Sequence, residues 1–280
     1  MLEAIITAVL VVVAVGVLCA VGLVIASVFW GVEENETEKK IRECLPGANC
    51  GACGYSGCDG YAKALAEDPE TKVNLCTPGG DKVSKILSSM LGKEYEETVE
   101  MVATVRCCGD CKSTEKKTRY TGVDTCAAAK MLNGGDGMCS YGCLGRGDCA
   151  AVCPHDAICM DNGIARVDAR KCVGCGVCVR TCPNHLIHMM PDVQRQVIAC
   201  HNKQKGAIAR KQCTNACIAC GKCQKACPEG AIVIKDNFAS IKYDKCVKCG
   251  KCAEVCPTGC IRTADYSGKH KFPEPNYIIR

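Results

Sequence analysis

Aromatic side chains are scarce in this chain, which has 3 Phe, 8 Tyr and 1 Trp among 280 residues. That scarcity excludes a large core of the usual aromatic-rich kind. Charge of one sign is lacking too: the formal net charge is +5, too small for disorder driven by self-repulsion. No G-x-G-x-x-G follows a strand-like run, so nothing reads as a dinucleotide site. The five histidines (His155, His185, His188, His201, His270) have no metal-ligand spacing and read as surface or packing residues. No nucleophile–base constellation is visible. Against these absences stand 30 cysteines, the mark of a disulfide scaffold or a metal-rich protein.

Long apolar runs are absent except for one. Ala4–Trp30 carries no charge and only Thr7 and Ser27 as polar side chains. As a helix it spans roughly 40 Å, more than the ~30 Å hydrocarbon core. A signal peptide fits poorly, because Met1-Leu2-Glu3 supplies no basic residue and the run exceeds an ordinary h-region. The expectation is one transmembrane helix with Phe29 and Trp30 at an interface. Gly16 and Gly22 are either packing points for partner helices or ordinary membrane-helix glycines. Lys39, Lys40 and Arg42 follow the helix, which places the remainder on the cytoplasmic side of a cell (inner) membrane, where thiols stay reduced.

The expected fold is α+β: a transmembrane anchor (1–32), a small Cys-rich [4Fe–4S] module (33–80), a helical connector (81–100) and tandem bacterial ferredoxin-like units. The first unit, with a Cys-rich preface, is 101–199, the second 200–265, and a polar tail covers 266–280. In the connector Val83, Ile86, Leu87, Met90 and Leu91 recur at three- and four-residue steps, the pattern of an amphipathic packing helix.

The tandem is an internal repeat. Cys139-x3-Cys143-x5-Cys149-x3-Cys153-Pro154 aligns with Cys213-x3-Cys217-x5-Cys223-x3-Cys227-Pro228. Each run is followed by a second, Cys172-x2-Cys175-x2-Cys178-x3-Cys182-Pro183 and Cys246-x2-Cys249-x2-Cys252-x3-Cys256-Pro257. Strand-like stretches lie between them, turning at Asp161-Asn162-Gly163 and Asp236-Asn237. Three cysteines at x2, x2 spacing reach three corners of a cubane from one loop, and the cysteine before Pro serves the other cluster of the pair. Two C-x2-C pairs can also hold zinc, but complete triplets with four C-P endings suit zinc poorly. The x2 spacing and reducing setting argue against disulfides.

By that rule Cys217, Cys220, Cys223 and Cys256 hold one cluster, and Cys227, Cys246, Cys249 and Cys252 another. Cys153, Cys172, Cys175 and Cys178 form a third set. The remaining set is irregular, because Arg146 stands where the repeat has Cys220; Cys139 is the expected substitute beside Cys143, Cys149 and Cys182. Cys50, Cys53, Cys58 and Cys76 form the amino-terminal set, with Gly51, Gly54 and Gly57 keeping the loop slim. A sixth cluster is expected on Cys107, Cys111 and Cys126 with Cys200 or Cys213, against the alternative of free buried thiols. Cys19, Cys44, Cys108, Cys159 and Cys260 read as bystanders.

These motifs together resemble the B subunit of the Rnf complex: an apolar helix, Leu45-Pro-Gly-Ala-Asn-Cys-Gly-Ala-Cys-Gly-Tyr-Ser-Gly-Cys58, Cys76-Thr-Pro-Gly-Gly80, Cys139-Ser-Tyr-Gly-Cys-Leu-Gly-Arg-Gly-Asp-Cys149 and the ferredoxin motifs. The resemblance covers about residues 1–265 and is to the long form with two ferredoxin-like units. It implies a subunit of a membrane-bound ferredoxin:NAD+ oxidoreductase, a translocase that couples electron transport to Na+ or H+ movement. This chain would accept electrons from reduced ferredoxin and relay them to membrane and flavin-bearing subunits, with flavin, NAD and the ion path on other chains and no nucleic acid involved. The rival readings are a membrane-anchored polyferredoxin serving another reductase or a nitrogenase system, a corrinoid iron–sulfur protein, and an iron–sulfur scaffold that never cycles.

Charge is uneven along the chain: −7 over residues 1–100, +3 over 101–199 and +9 over 200–280. Lys222, Lys225, Lys245, Lys248 and Lys251 fall in or beside the last cluster loops. They form the expected docking face for an acidic ferredoxin, set against an ordinary solvated lysine face or contact with an acidic subunit.

Overall fold

The computed structural model describes residues 2–29, 35–192, 195–264 and 278–279. Helix α1 runs Leu2–Phe29, and its Ile5–Ile25 stretch, of mean hydropathy 3.1, is long and apolar enough to cross a membrane. Val12, Leu18 and Leu23 project from it about seven-tenths exposed. An all-round apolar surface with no covering partner suits lipid. Trp30, assigned to an interface from the sequence, lies outside the described residues, as do residues 265–277 and 280 of the tail.

Three helices make the next unit: α2 (Glu36–Cys44), α3 (Cys58–Glu67) and α4 (Gly80–Leu91). Asn35 caps α2 by accepting the Thr37 N–H at 3.0 Å. Ile41, Tyr61, Leu65, Val83 and Leu87 close a small core between them. The buried Tyr61 hydroxyl donates to the Lys72 carbonyl at 2.7 Å, which removes the cost of burying it. The connector departs from its apolar periodicity. Its helix stops at Leu91 on left-handed Gly92 (φ 63°), and its buried face is Val83, Ser84, Leu87 and Ser88. The serines can lie inside because their hydroxyls donate to the carbonyls of Glu96 and Glu94, at 3.1 and 3.3 Å, while Ile86 and Met90 remain about two-fifths exposed. The connector thus packs on the amino-terminal module.

The remaining elements are β1 (Met101–Val105), α5 (Cys126–Met131), α6 (Asp148–Ala151), β2 (Ile158–Asp161), β3 (Ile164–Val167), α7 (Val177–Thr181) and β4 (Ile187–Pro191), then β5 (Arg195–Ile198), α8 (Gly206–Gln212), α9 (Lys222–Ala226), β6 (Ile232–Lys235), β7 (Phe238–Ile241), α10 (Lys251–Glu254), β8 (Ile261–Ala264) and β9 (Ile278–Ile279). In each repeat the opening strand pairs antiparallel with the closing one: β1 with β4, Val105 opposite Ile187, and β5 with β8, Ile198 opposite Ile261. Each also carries a central hairpin, β2–β3 or β6–β7. The turns Asn162-Gly163 and Asp236-Asn237 hold four positive φ values, from 48° to 79°, as a type I′ hairpin requires.

The two repeats have separate apolar clusters that borrow from each other. Strand β5, inside the first unit by the sequence bounds, pairs with β8 and so opens the second repeat; its Val197, with Ala264, packs into the cluster of the first repeat, and Cys108 of the first packs into that of the second. Both clusters are built largely from cysteine, alanine and β-branched residues.

Candidate iron–sulfur sites

The cysteines lie in loops whose shape is set by left-handed residues. Each of the four motif loops has a positive-φ glycine directly before a one-turn helix: Gly147, Gly176, Gly221 and Gly250. The turn that follows places the third cysteine of each motif, Cys149, Cys178, Cys223 or Cys252, in a buried position. After each of the first three Cys-Pro corners a backbone N–H points at the last sulfur. Ala157 N–H donates to Cys153 Sγ at 3.4 Å, Leu186 to Cys182 at 3.4 Å and Ala231 to Cys227 at 3.3 Å. Such donors stabilise negative charge on a thiolate sulfur.

In the amino-terminal module, Cys76 has Cys58, Cys50 and Cys53 as electrostatic neighbours, and burial pushes its thiol up to about 11. Asn49 Oδ1 accepts the Cys58 N–H at 2.8 Å. Gly57, at φ 142°, leaves room for that amide: a Cβ would meet Asn49 Oδ1 at 3.0 Å. In the repeats, Cys178 neighbours Cys172, Cys175 and Cys153, and Cys223 neighbours Cys217, Cys220 and Cys256. Cys227, Cys246, Cys249 and Cys252 line one pocket.

The irregular set comes together differently from the sequence expectation. One pocket is lined by Cys126, Cys143, Cys149 and Cys182, and Cys149 has Cys143, Cys126 and Cys182 as neighbours. Cys139 is not among them. The segment before the motif carries Cys126 in at the start of α5, where Asp148 caps the helix by accepting the N–H groups of Cys126 and Ala127 at 2.7 and 3.1 Å. Cys126 Sγ in turn accepts the backbone N–H of Arg146. Arg146, standing where the second repeat has Cys220, anchors that segment. It pairs with Asp136 at 2.9 Å and with Asp124, and its guanidinium lies 4.4 Å from the centre of the Tyr120 ring.

Cys139 lies instead in a second pocket, with Cys107, Cys200 and Cys213. Cys111 is exposed on the surface, its N–H held by the Asn162 carbonyl at 2.9 Å. The set expected from the sequence, Cys107, Cys111 and Cys126 with Cys200 or Cys213, is not brought together as a whole: Cys107 meets both Cys200 and Cys213, while Cys111 and Cys126 lie elsewhere. The alignment of the repeats held the missed signal: Cys139 matches Cys213, which lies outside the Cys217, Cys220, Cys223 and Cys256 set. Of the bystanders, Cys260 is buried and its thiol lies 3.6 Å from Cys256 Sγ. Its single S–H is shared with Cys256 and Cys217, and this hydrogen bonding holds both below the usual thiol range.

Elsewhere burial dominates and pushes thiols up, to about 12 for Cys149 and Cys178 and about 11 for Cys223 and Cys252. Such thiols stay protonated at neutral pH unless bound metal takes the proton's place. Among the described residues, no three His, Cys, Asp or Glu side chains converge closely enough to hold a single metal ion. The thiols stand spread around cavities, a layout that fits a polynuclear group. Thiolate-only donors, N–H groups aimed at sulfur and glycines pressed against the loops fit a [4Fe–4S] cubane.

Comparison with known proteins agrees with that chemistry. The FeS family model, described as an Fe-S cluster, matches residues 45–78, and the 4Fe-4S dicluster domain model matches 171–231 and 216–260. The first dicluster match joins the last motif of one repeat to the first motif of the next, because successive motifs share one spacing. The B subunit of the Na(+)-translocating ferredoxin:NAD(+) oxidoreductase complex of Acetobacterium woodii is 41% identical over 82% of this chain and 69% of its own length. The B subunit of the proton-translocating ferredoxin:NAD(+) oxidoreductase complex of Clostridium ljungdahlii is 42% identical over 79% and 78%. The B subunit of the ion-translocating oxidoreductase complex of Methanosarcina acetivorans is 36% identical over 83% and 86%.

Proposed function

The chain belongs to the family of B subunits of ion-translocating ferredoxin:NAD+ oxidoreductase complexes, and from that membership we propose that it is an electron-transfer subunit taking electrons from reduced ferredoxin. The observation that carries this is the gathering of cysteines in fours, each four lining one cavity or standing in mutual electrostatic contact. The sets are Cys50, Cys53, Cys58 and Cys76; Cys126, Cys143, Cys149 and Cys182; Cys153, Cys172, Cys175 and Cys178; Cys217, Cys220, Cys223 and Cys256; and Cys227, Cys246, Cys249 and Cys252.

Bound there, [4Fe–4S] clusters supply one-electron oxidation and reduction. The chain's own part is to hold them with thiolate, place N–H donors on the sulfurs and keep water away with apolar walls. The strand pairings and shared motif order support reading the repeats as tandem ferredoxin-like units. Helix α1 supports a membrane anchor, with the basic residues after it on the cytoplasmic side.

Ferredoxin docks, in this reading, on the second repeat. Cys220 and Cys249 are exposed there, with Lys222, Lys225, Lys245, Lys248 and Lys251 exposed around them. Among the described residues none of these lysines is in a salt bridge; the ion pairs lie elsewhere. Anaerobic purification followed by stopped-flow reduction with reduced ferredoxin tests the proposal. Bleaching of the iron–sulfur absorbance by ferredoxin is expected, and a colourless, zinc-loaded chain overturns it.

A further inference from the structure

Four cysteines lie outside those five sets yet line one cavity: Cys107, Cys139, Cys200 and Cys213. Three are buried and Cys139 is half-buried. The repeat explains why they meet. Cys107 follows the end of β1 by two residues and Cys200 follows the end of β5 by two. Cys139 and Cys213 each stand four residues before the first motif cysteine, Cys143 or Cys217. Each repeat therefore supplies the same two cysteines, and the cavity lies where the repeats join.

The surrounding contacts are matched as well. Cys143 N–H donates to Cys107 Sγ at 3.4 Å, and its counterpart Cys217 N–H donates to Cys200 Sγ at 3.3 Å. Asn202, 1% exposed, donates through Nδ2 to Cys139 Sγ at 3.3 Å while also bonding Gln212 Oε1 at 2.9 Å. Gly109 presses on the cavity: a Cβ there would lie 3.1 Å from Cys213 Sγ and 3.8 Å from Cys107 Sγ. The walls are tied across the junction, since Thr114 Oγ1 donates to the Gln212 carbonyl at 2.7 Å and Thr214 N–H to the Ser113 carbonyl at 2.9 Å.

The geometry points to a sixth [4Fe–4S] site, held by Cys107 and Cys139 of the first repeat and Cys200 and Cys213 of the second. Four thiols, N–H donors aimed at three of them and the glycine cradle repeat the features of the other five sets, so this assignment rests on the iron–sulfur reading above. The placement also closes a gap. Arg180 of α7 donates to the Cys50 carbonyl at 2.6 Å, which sets the amino-terminal module beside the Cys178 set. Cys149 neighbours Cys178, and Cys252 neighbours Cys223. The Cys143 and Cys217 N–H groups, which donate to Cys107 and Cys200, belong to the neighbouring first-motif sets of the two repeats. The sixth site thus lies at the junction, against one set of each repeat.

Iron and acid-labile sulfide measured on the full-length chain, purified anaerobically, test the assignment. With four irons to a cubane, about 24 irons per chain are expected against about 20 for five sites. Cys213→Ser is expected to lose about four irons and leave about 20, whereas Cys111→Ser loses none. A native count of about 20, unchanged in Cys213→Ser, overturns the sixth site while leaving the other five. The native count decides the matter even if the variant fails to fold. A chain that binds zinc and no iron overturns this site and the wider reading together.

Discussion

The two repeats share strand pairing, hairpins and motif order, but they complete their first cysteine set in opposite ways. The second repeat uses Cys220, from within the loop and exposed to solvent. The first uses Cys126, buried and imported from a preceding segment, and fills the loop position with Arg146. The second motif shows the same contrast, with Cys175 buried and Cys249 exposed. One repeat is thus covered and the other open, and the open one carries the unpaired lysines. An open, basic repeat suits an encounter with a soluble acidic protein, because exchange with a diffusing partner needs close approach. A covered repeat suits an interior position between the amino-terminal module and that docking face.

The sharpest break in this comparison is the imported ligand. Cys126→Ser is expected to remove the first repeat's irregular site, seen as a loss of about four irons per chain, while Cys159→Ser retains the full count. If Cys126→Ser keeps its iron, the import is disproved. A smaller effect is expected at the open repeat. Reversing charge in Lys248→Glu with Lys251→Glu should slow ferredoxin-driven reduction by roughly tenfold or more at low salt and flatten its ionic-strength dependence. Equal rates at low and high salt in the native chain would show that the lysines serve some other contact.

Arg146 offers a third test. Its loss in Arg146→Ala strips one partner from Asp136, which is buried and, among the described residues, keeps Lys116, at 3.0 Å, as its ion-pair partner. The expected cost is about 1–3 kcal/mol, read as a lower denaturation midpoint. The second repeat offers no equivalent, since Cys220 carries no such clamp. The variant should also release its iron to a chelator faster from the first repeat than from the second.

Much of this was legible in the sequence, and the failures have physical causes. The motif cysteines, the hairpin turns at Asn162-Gly163 and Asp236-Asn237 and the apolar first helix are local signals, written in spacing and turn chemistry. Cys126, the fourth member of the proposed irregular set, is delivered from a distance by a capped helix, and nothing in local spacing separates it from Cys111 or Cys139. The connector's buried serines were illegible for a related reason: Ser84 and Ser88 are satisfied by the carbonyls of residues 12 and 6 positions on. The family was legible too, in the Leu45–Cys58, Cys76–Gly80 and Cys139–Cys149 motifs, and the relatives at 36–42% identity bear it out.

The smallest expected effect compares the loop glycines. Gly145 and Ala219 hold equivalent positions, both left-handed at φ 75° and 52°. At Gly145 a Cβ would lie 2.6 Å from the Gly163 carbonyl oxygen, whereas Ala219 already carries a Cβ, next to the exposed Cys220. Gly145→Ala therefore meets both a φ penalty and a backbone clash, and should lower stability by about 1–3 kcal/mol. The reverse change, Ala219→Gly, relieves the φ penalty of roughly 1 kcal/mol but loosens the unfolded chain by a similar amount. Its net effect should be within about 0.5 kcal/mol of zero, measured by denaturant melts under anaerobic conditions. Equal responses at the two sites would mean that the covered repeat is no tighter than the open one, and the contrast between them would rest on the cysteines alone.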